Sequence, residues 1–319
     1  MVQVLVTGAG GFVGKSLVRR LLLAGFKVKV VSRTSLNIHP EGVTLIVADL
    51  TKPSSTLMEA VSGCDYIFHC AGEINNISMM RSLHVNGLAN LLEAAIKCGN
   101  LKHWIQLSSV GVYGKVLGRP SGYREVNEKT ISNPSGEYEV TKEEADRILL
   151  SASKLHQFTF SILRPSNIVG LKMPNNSFEC LLRSIITKYF FFIGSTNSIS
   201  NYVHVDDVVE ALILCAKHPK AKNEIFNLSN DCKLSSIVSI VSASRGIKPN
   251  NFCIPIKLAS VIVKCIPKFF NFPLSQSRIN ALISRTHYST AKINEHLEFL
   301  PRHSIPEFAV KYLNESVEK

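Results

Sequence analysis

The stretch from Val2 to Ser32, VQVLVTGAGGFVGKSLVRRLLLAGFKVKVVS, constrains this chain more than any other. Val2 to Val6 is a short β-branched apolar run and reads as a buried strand. From Phe12 onward the apolar positions Phe12, Val13, Leu17, Val18, Leu21 and Leu22 recur at helical spacing. Gly8, Gly11 and Gly14 therefore occupy a strand-to-helix turn, and Val28 to Ser32 supplies the second strand of a βαβ unit. Glycines there permit a tight turn, close approach of a phosphate to bare backbone, and close packing of helix on strand. The helix N-terminus offers free N–H groups and partial positive charge to a pyrophosphate. The turn residues Gly8, Gly11, Phe12, Val13 and Gly14 are thus candidate dinucleotide contacts. The alternative is a purely structural turn.

The rest of the first half repeats the alternation. Strand-like runs at Val43 to Val47, Asp65 to Cys70, Lys102 to Ser108 and Phe158 to Leu163 are separated by helical stretches at Met79 to Cys98 and Glu137 to Leu155. The last of these strands is expected to end at Arg164-Pro165. Such alternation predicts an α/β fold with a doubly wound, mainly parallel sheet. After Gly170 the pattern loosens into helical pieces separated by Asn-, Ser- and Pro-rich loops, and Glu224 to Ser229 reads as a strand that rejoins the first sheet. The expected division is a dinucleotide-binding domain over 1–170, rejoined by 201–230, with a smaller mixed lobe from 171–200 and 231–319 over the carboxyl edge of the sheet.

Composition excludes several classes. No run of about 18 uncharged apolar residues suggests a spanning helix, and the opening reads as no signal peptide. Eight cysteines are scattered without CxxC or metal-ligand spacing, as expected of reduced thiols in a cytoplasmic protein with no metal site. The net charge of +12 is uneven: residues 1–150 hold 16 basic and 13 acidic side chains, residues 151–319 hold 20 and 11. Between Asp231 and Glu295 there are nine Lys or Arg and no acid. This suits an anionic ligand or surface, or else a solvated basic face; no nucleic-acid motif accompanies it.

Tyr138 and Lys142 lie four apart on a predicted helix and share a face. A nearby ammonium favours the phenolate and is expected to lower the tyrosine pKa, so the pair can exchange a proton with an alcohol or ketone. Ser108-Ser109, at the end of the Lys102 to Ser108 strand, reaches the same sheet edge, where a hydroxyl can hold a carbonyl oxygen. Taken singly, each has an ordinary structural reading, as an exposed helix pair or a loop serine.

Taken together, order and spacing resemble the extended short-chain dehydrogenase/reductases, the NAD-dependent epimerase/dehydratase family of nucleotide-sugar enzymes. The resemblance spans nearly the whole chain. TGAGGFVG is similar to the family's glycine motif, LSSVGVYG to its serine motif with Ser109 in the catalytic place, and Tyr138 and Lys142 to its Tyr-Lys pair. It implies a Rossmann-type fold with hydride transfer: Lys142 holding the nicotinamide ribose and lowering the Tyr138 pKa, Tyr138 passing the proton, and Ser109 steadying the substrate oxygen. It also implies that Asp49-Leu50 contacts adenine, that Ala71-Gly72 lies beside the ribose, and that LRPSNIVG, with Pro165, closes on the nicotinamide. Asn167 falls where relatives bind a substrate diphosphate. Asn86 in HVNGLANLLEAA matches a family asparagine, as a substrate contact or a helix cap. Family members often pair as homodimers through helices equivalent to 79–98 and 137–155.

NAD binders usually carry an acid at the end of the second strand. Here Ser32-Arg33 stands there, and an arginine offers a ribose 2′-phosphate a bidentate partner. The expected cofactor is NADP, with NAD the alternative and Arg33 then a solvated loop residue. NADP tilts the reaction toward reduction of a keto group on a nucleotide sugar, with a 4-epimerase holding tightly bound NAD as the alternative. Dehydration is disfavoured because Val110-Gly111 after Ser109 offers no acid or base. One departure weakens the nucleotide-sugar reading: Ser200 stands where such relatives carry a diphosphate-clamping arginine, and Arg285 is the remaining candidate phosphate ligand. The tract from Cys253, CIPIKLASVIVKCIPKFFNFPL, mixes bulky apolar residues with Lys257, Lys264 and Lys268. It reads as a substrate lid, or as a membrane-contact surface suited to a lipid-like substrate of the hydroxysteroid-dehydrogenase kind. A non-catalytic NADP-binding regulator is the remaining alternative, and the presence of Ser109, Tyr138 and Lys142 argues against it.

Overall fold

A computed structural model describes residues 2–35, 42–114, 122–265 and 276–316. Its centre is a seven-stranded, wholly parallel sheet in the spatial order Glu224–Leu228, Thr159–Pro165, His103–Leu107, Tyr66–His69, Gln3–Thr7, Lys27–Ser32, Val43–Val47. Chain order reverses between Gln3–Thr7 and Tyr66–His69, which pair directly. A reversal of this kind opens a crevice at the carboxyl edge.

Alternation along each strand explains why both faces are covered. Val4 and Val6 of the first strand face one core, with Leu17, Leu21, Val208 and Leu212 of the helices Phe12–Leu23 and Val205–Lys217. Leu5, between them, faces a second core with Leu57, Leu88, Leu91, Trp104 and Leu149. Glu224–Leu228 pairs in parallel with Thr159–Pro165, so the late strand does rejoin the sheet. That pairing also carries the sixth sheet strand through Arg164 and Pro165, which lie opposite Asn227 and Leu228, where the sequence suggests it stops.

A third core, separate from these two, gathers Phe178, Leu182, Phe192, Ile237, Val241 and Phe308 from the chain beyond the sixth sheet strand. Residues near the C-terminus fasten to the sheet half through Asp207, which accepts from the backbone N–H groups of Arg302 and His303 and faces the His303 Nδ1 at 2.8 Å. A parallel strand pair, Tyr123–Val126 with Arg285–Tyr288, joins distant parts of the chain and has no counterpart in the sequence pattern. Residues 266–274 of the tract from Cys253 lie outside the described residues.

Candidate active site

The glycine turn separates what the fold demands from what a ligand would demand. Gly8 has φ +70°, and a Cβ there would lie 2.7 Å from the Cys70 carbonyl and the Ala71 nitrogen. A Cβ on Gly14 would lie 2.1 Å from the Gly8 carbonyl oxygen. These two glycines are required by helix, strand and neighbouring loop alone. Gly11 is exposed, and a Cβ there would meet only the Gly8 oxygen, at 3.1 Å. Helix Phe12–Leu23 begins after Gly11 with no side-chain cap, which leaves bare backbone at its N-terminus. That arrangement fits a dinucleotide pyrophosphate. Val13 is buried, and the Phe12 ring packs on Gly170, whose absent Cβ would sit 2.8 Å from it. Both hold the turn in place by packing.

Other predicted contacts gather round the same edge. Asp49 Oδ1 accepts from the Thr51 N–H and hydroxyl, and these bonds, led by the backbone one, hold its carboxyl below the usual range. Exposed Arg33 adds to the lowering at both Asp49 and Glu73, so its charge lies at this end of the crevice, just past Ser32. Buried Leu50 has its carbonyl held by Asn90 Nδ2. Ala71 N–H donates to Thr7 Oγ1.

The helix Glu137–Leu155 brings the reactive groups to the edge. It starts with Glu139 Oε2 accepting from the Gly136 N–H at 2.9 Å, a cap that fixes where the helix begins. Tyr138, Lys142 and Asp146 then follow at four-residue intervals on one face. The Tyr138 hydroxyl lies near enough to Ser109 for that side chain to favour its ionised form. Ser109 Oγ in turn accepts from the Gly111 N–H at 3.0 Å, which fixes its rotamer. Lys142 is 5 % exposed, donates from Nζ to the Leu107 carbonyl at 2.9 Å, and lies 6.0 Å from the centre of the Tyr138 ring.

Electrostatics depart from the expectation of a phenol lowered by Lys142. Burial pushes Tyr138 up to about 12, the nearby Ser109 side chain works in the opposite direction, and the Asp146 charge adds to the rise. Burial also lowers Lys142, while Asp146 one turn on favours its charged form. Asp146 is buried and its Oδ2 accepts from Ser108 Oγ and from Arg164 Nε and Nη2 at 2.8–3.1 Å. Arg164 Nη1 reaches the buried Tyr113 hydroxyl, which is bonded to Asn227. A buried charged network therefore underlies the Tyr138–Lys142 face.

His84 is the residue that sequence reasoning missed. The helix begins at Ile77, earlier than the pattern suggests, and Ser82–Asn86 form a π turn within it. Asn86 is exposed, whereas His84 is buried. His84 Nε2 accepts from the Glu73 N–H at 2.8 Å, so Nδ1 carries the proton and donates to Thr141 Oγ1 at 2.8 Å. Thr141 donates to the Glu137 carbonyl. The His84 ring meets the Tyr138 ring edge-on at 5.6 Å, and burial, with Lys142 nearby, lowers its pKa to about 3. Neutral His84 thus ties the loop after His69 to the catalytic helix beside Tyr138. A Cβ on Gly72 would sit 3.3 Å from His84 Nε2 and 3.4 Å from Lys142 Nζ, which accounts for glycine there. The available signal was a histidine on the buried stripe two residues before Asn86.

The predicted substrate residues lie together on the lobe side. Asn167 is exposed, and its Nδ2 donates to the Asn201 carbonyl. Asn201 Nδ2 donates to Asp231 and to the Thr286 carbonyl, beside Arg285. The Ile199 N–H bonds the Ser284 carbonyl, which sets the 284–286 segment alongside Ser200. Arg285 lines a cavity of about 200 Å³ with Gly194, Ser195 and Ser198. Its Nε is buried without a hydrogen-bond partner among the described residues.

Comparison with known proteins adds four findings. The model of the NAD dependent epimerase/dehydratase family matches residues 4–229. UDP-glucose 4-epimerase of Vibrio cholerae is 27% identical over 271 residues, covering 80% of this chain and 79% of that one. 2-Alkyl-3-oxoalkanoate reductase of Shewanella oneidensis is 29% identical over 278 residues, covering 81% and 70%. Among solved structures, UDP-glucose 4-epimerase of Thermotoga maritima with UDP-glucose superposes with a TM-score of 0.75 at 20% identity, over 99% of this chain and 100% of that one.

Proposed function

The chain belongs to the NAD-dependent epimerase/dehydratase family and is an enzyme of that family. From that premise we propose that it reduces a keto group on a nucleotide sugar, using NADPH. The observation that carries the reading is the gathering of Tyr138, Ser109 and Lys142, with the Lys142 ammonium 6.0 Å from the centre of the Tyr138 ring. A bound nicotinamide would supply the hydride. Gly8, Gly11 and Gly14 would hold its pyrophosphate, Asp49 and Leu50 would border the adenine, Ala71 and Gly72 the ribose, and Pro165 the nicotinamide segment. Tyr138 delivers the proton to the substrate oxygen, Ser109 holds that oxygen, and Lys142, whose charged form Asp146 favours, stands beside the ring. Ser32 and Arg33 in place of an acid support NADP. The unpartnered Arg285 Nε, with Asn167 linked to the same segment through Asn201, supports a diphosphate-bearing substrate.

The purified protein is assayed for oxidation of NADPH and NADH with UDP- and dTDP-keto sugars, and released cofactor is identified by mass spectrometry. Turnover with NADPH and no retained NAD is the expected result. Stoichiometric tightly held NAD with interconversion of 4-epimers would replace this reading by the epimerase. A second reading, reduction of an oxo group on a lipid-like substrate, is favoured by Ser200 in the diphosphate-clamp position and by likeness to the 2-alkyl-3-oxoalkanoate reductase. It is tested by adding 2-alkyl-3-oxo acids to the same assay.

A further inference from the structure

Two segments that are far apart in sequence lie side by side and leave large apolar side chains exposed. The Phe192 N–H donates to the Phe252 carbonyl at 2.8 Å, and Asn250 Nδ2 donates to the Phe190 carbonyl at 2.8 Å. Cys253–Ile254 then pairs in parallel with Phe192–Ile193 and leads into the helix Ile256–Cys265. On this face Tyr189 is 81 % exposed, Phe252 64 %, Leu258 50 % and Val261 53 %. Leu258 and Val261 are three apart and share a helix face, while Ala259 between them is buried. Lys188, Lys248 and Lys257 are exposed among them. A cavity of about 290 Å³, floored by Ile185, Val238 and Ile247, is lined by Lys188 and Lys248.

The charge is one-sided. No Asp or Glu occurs between Glu179 and Asp206 or between Asp231 and Glu295, so the segments that build the face carry cations alone. Its cations are lysines, which are depleted at protein–protein interfaces, where arginine is favoured. Amphipathic rings and aliphatic tips ringed by lysine match the boundary between headgroups and acyl chains of an anionic bilayer. No helix among the described residues is long and apolar enough to cross a membrane, so contact would be at the surface.

We propose that this face rests on an anionic phospholipid surface, with Tyr189, Phe252, Leu258 and Val261 entering the headgroup region and Lys188, Lys248 and Lys257 facing lipid phosphates. The proposal is independent of the catalytic reading. The full chain is sedimented with phosphatidylcholine vesicles, with and without phosphatidylserine, at low and high salt. Pelleting with the anionic vesicles alone, reversed by salt, is expected. Replacing Lys188, Lys248 and Lys257 together by Gln lowers affinity roughly 100-fold, at about fivefold per lysine. Phe252→Ser with Leu258→Ser lowers it at least about tenfold. All five side chains are exposed, and unchanged melting curves show that the variants fold. No pelleting at low salt, equal pelleting with neutral vesicles, or variants that bind like the parent would each overturn the proposal. So would a dimer in size-exclusion chromatography that Leu258→Ser dissociates, because the face would then belong to a second copy.

Discussion

The glycine turn at the start of the chain and the lobe face around Phe252 are held by opposite kinds of constraint. At Gly14 a single added carbon would lie 2.1 Å from a backbone oxygen, and backbone cannot move aside. At Phe252, Leu258 and Tyr189 half or more of the side chain meets solvent. The first region is fixed by geometry internal to the chain. The second is fixed by no contact of its exposed side chains within the chain, which is why an outside surface is proposed for it.

The largest test of that division is at the reacting phenol. Tyr138→Phe keeps the ring against His84 and removes only the hydroxyl, so turnover should fall about 10³-fold with the melting temperature little changed. Full activity in this variant would end the assignment of proton transfer to Tyr138. Next is the buried pair beneath it. Asp146→Asn leaves the Arg164 cation without its carboxylate and should cost about 3–5 kcal/mol in urea unfolding, whereas Glu93→Gln, which breaks an exposed pair with Lys97, should cost under about 0.5 kcal/mol.

The last two glycines of the turn, Gly11 and Gly14, sharpen the comparison. Gly14→Ala should destabilise by about 1–3 kcal/mol through overpacking. Gly11→Ala should leave stability nearly unchanged and raise the Michaelis constant for the dinucleotide; equal losses of stability would show that the fold, and no ligand, requires Gly11.

Acid should act on the sheet half first. Burial lowers His69 and His84 to about 3 and His103 to about 4, so the folded protein keeps them neutral where the unfolded chain binds protons. Their contribution to stability is present above about pH 6.5, the unperturbed value, and is lost as pH falls toward 3. Melting temperature against pH, with His84→Gln flattening part of the slope, measures it. The smallest expected effect is at Arg33, where Ala should raise the Michaelis constant for NADPH about tenfold and leave that for NADH unchanged.

Much of the sheet half was legible because its signals are local. Hydrophobic runs mark strands, and the four-residue spacing of Tyr138 and Lys142 survives in the helix Glu137–Leu155 with its predicted bounds. The same periodicity continued one step reaches Asp146, yet its partner Arg164 lies on a separate strand, and nothing in the spacing joins them. His84 was hidden for a related reason. The π turn over Ser82–Asn86 is a helical irregularity that apolar spacing does not reveal, and its partners Glu73 and Thr141 come from two other segments. The strand pair of Tyr123–Val126 with Arg285–Tyr288 joins residues about 160 apart by backbone bonds, which carry no side-chain signature.

The order of strands and helices, the glycine turn and the shared helix face of Tyr138 and Lys142 were determined by the sequence, because local spacing and backbone freedom are properties of neighbours along the chain. The raised pKa of Tyr138, the neutral tautomer of His84 and the uncovered Phe252 face were decided by tertiary structure alone. Each depends on which distant groups exclude water from a site, and solvent exclusion exists only once the chain has folded.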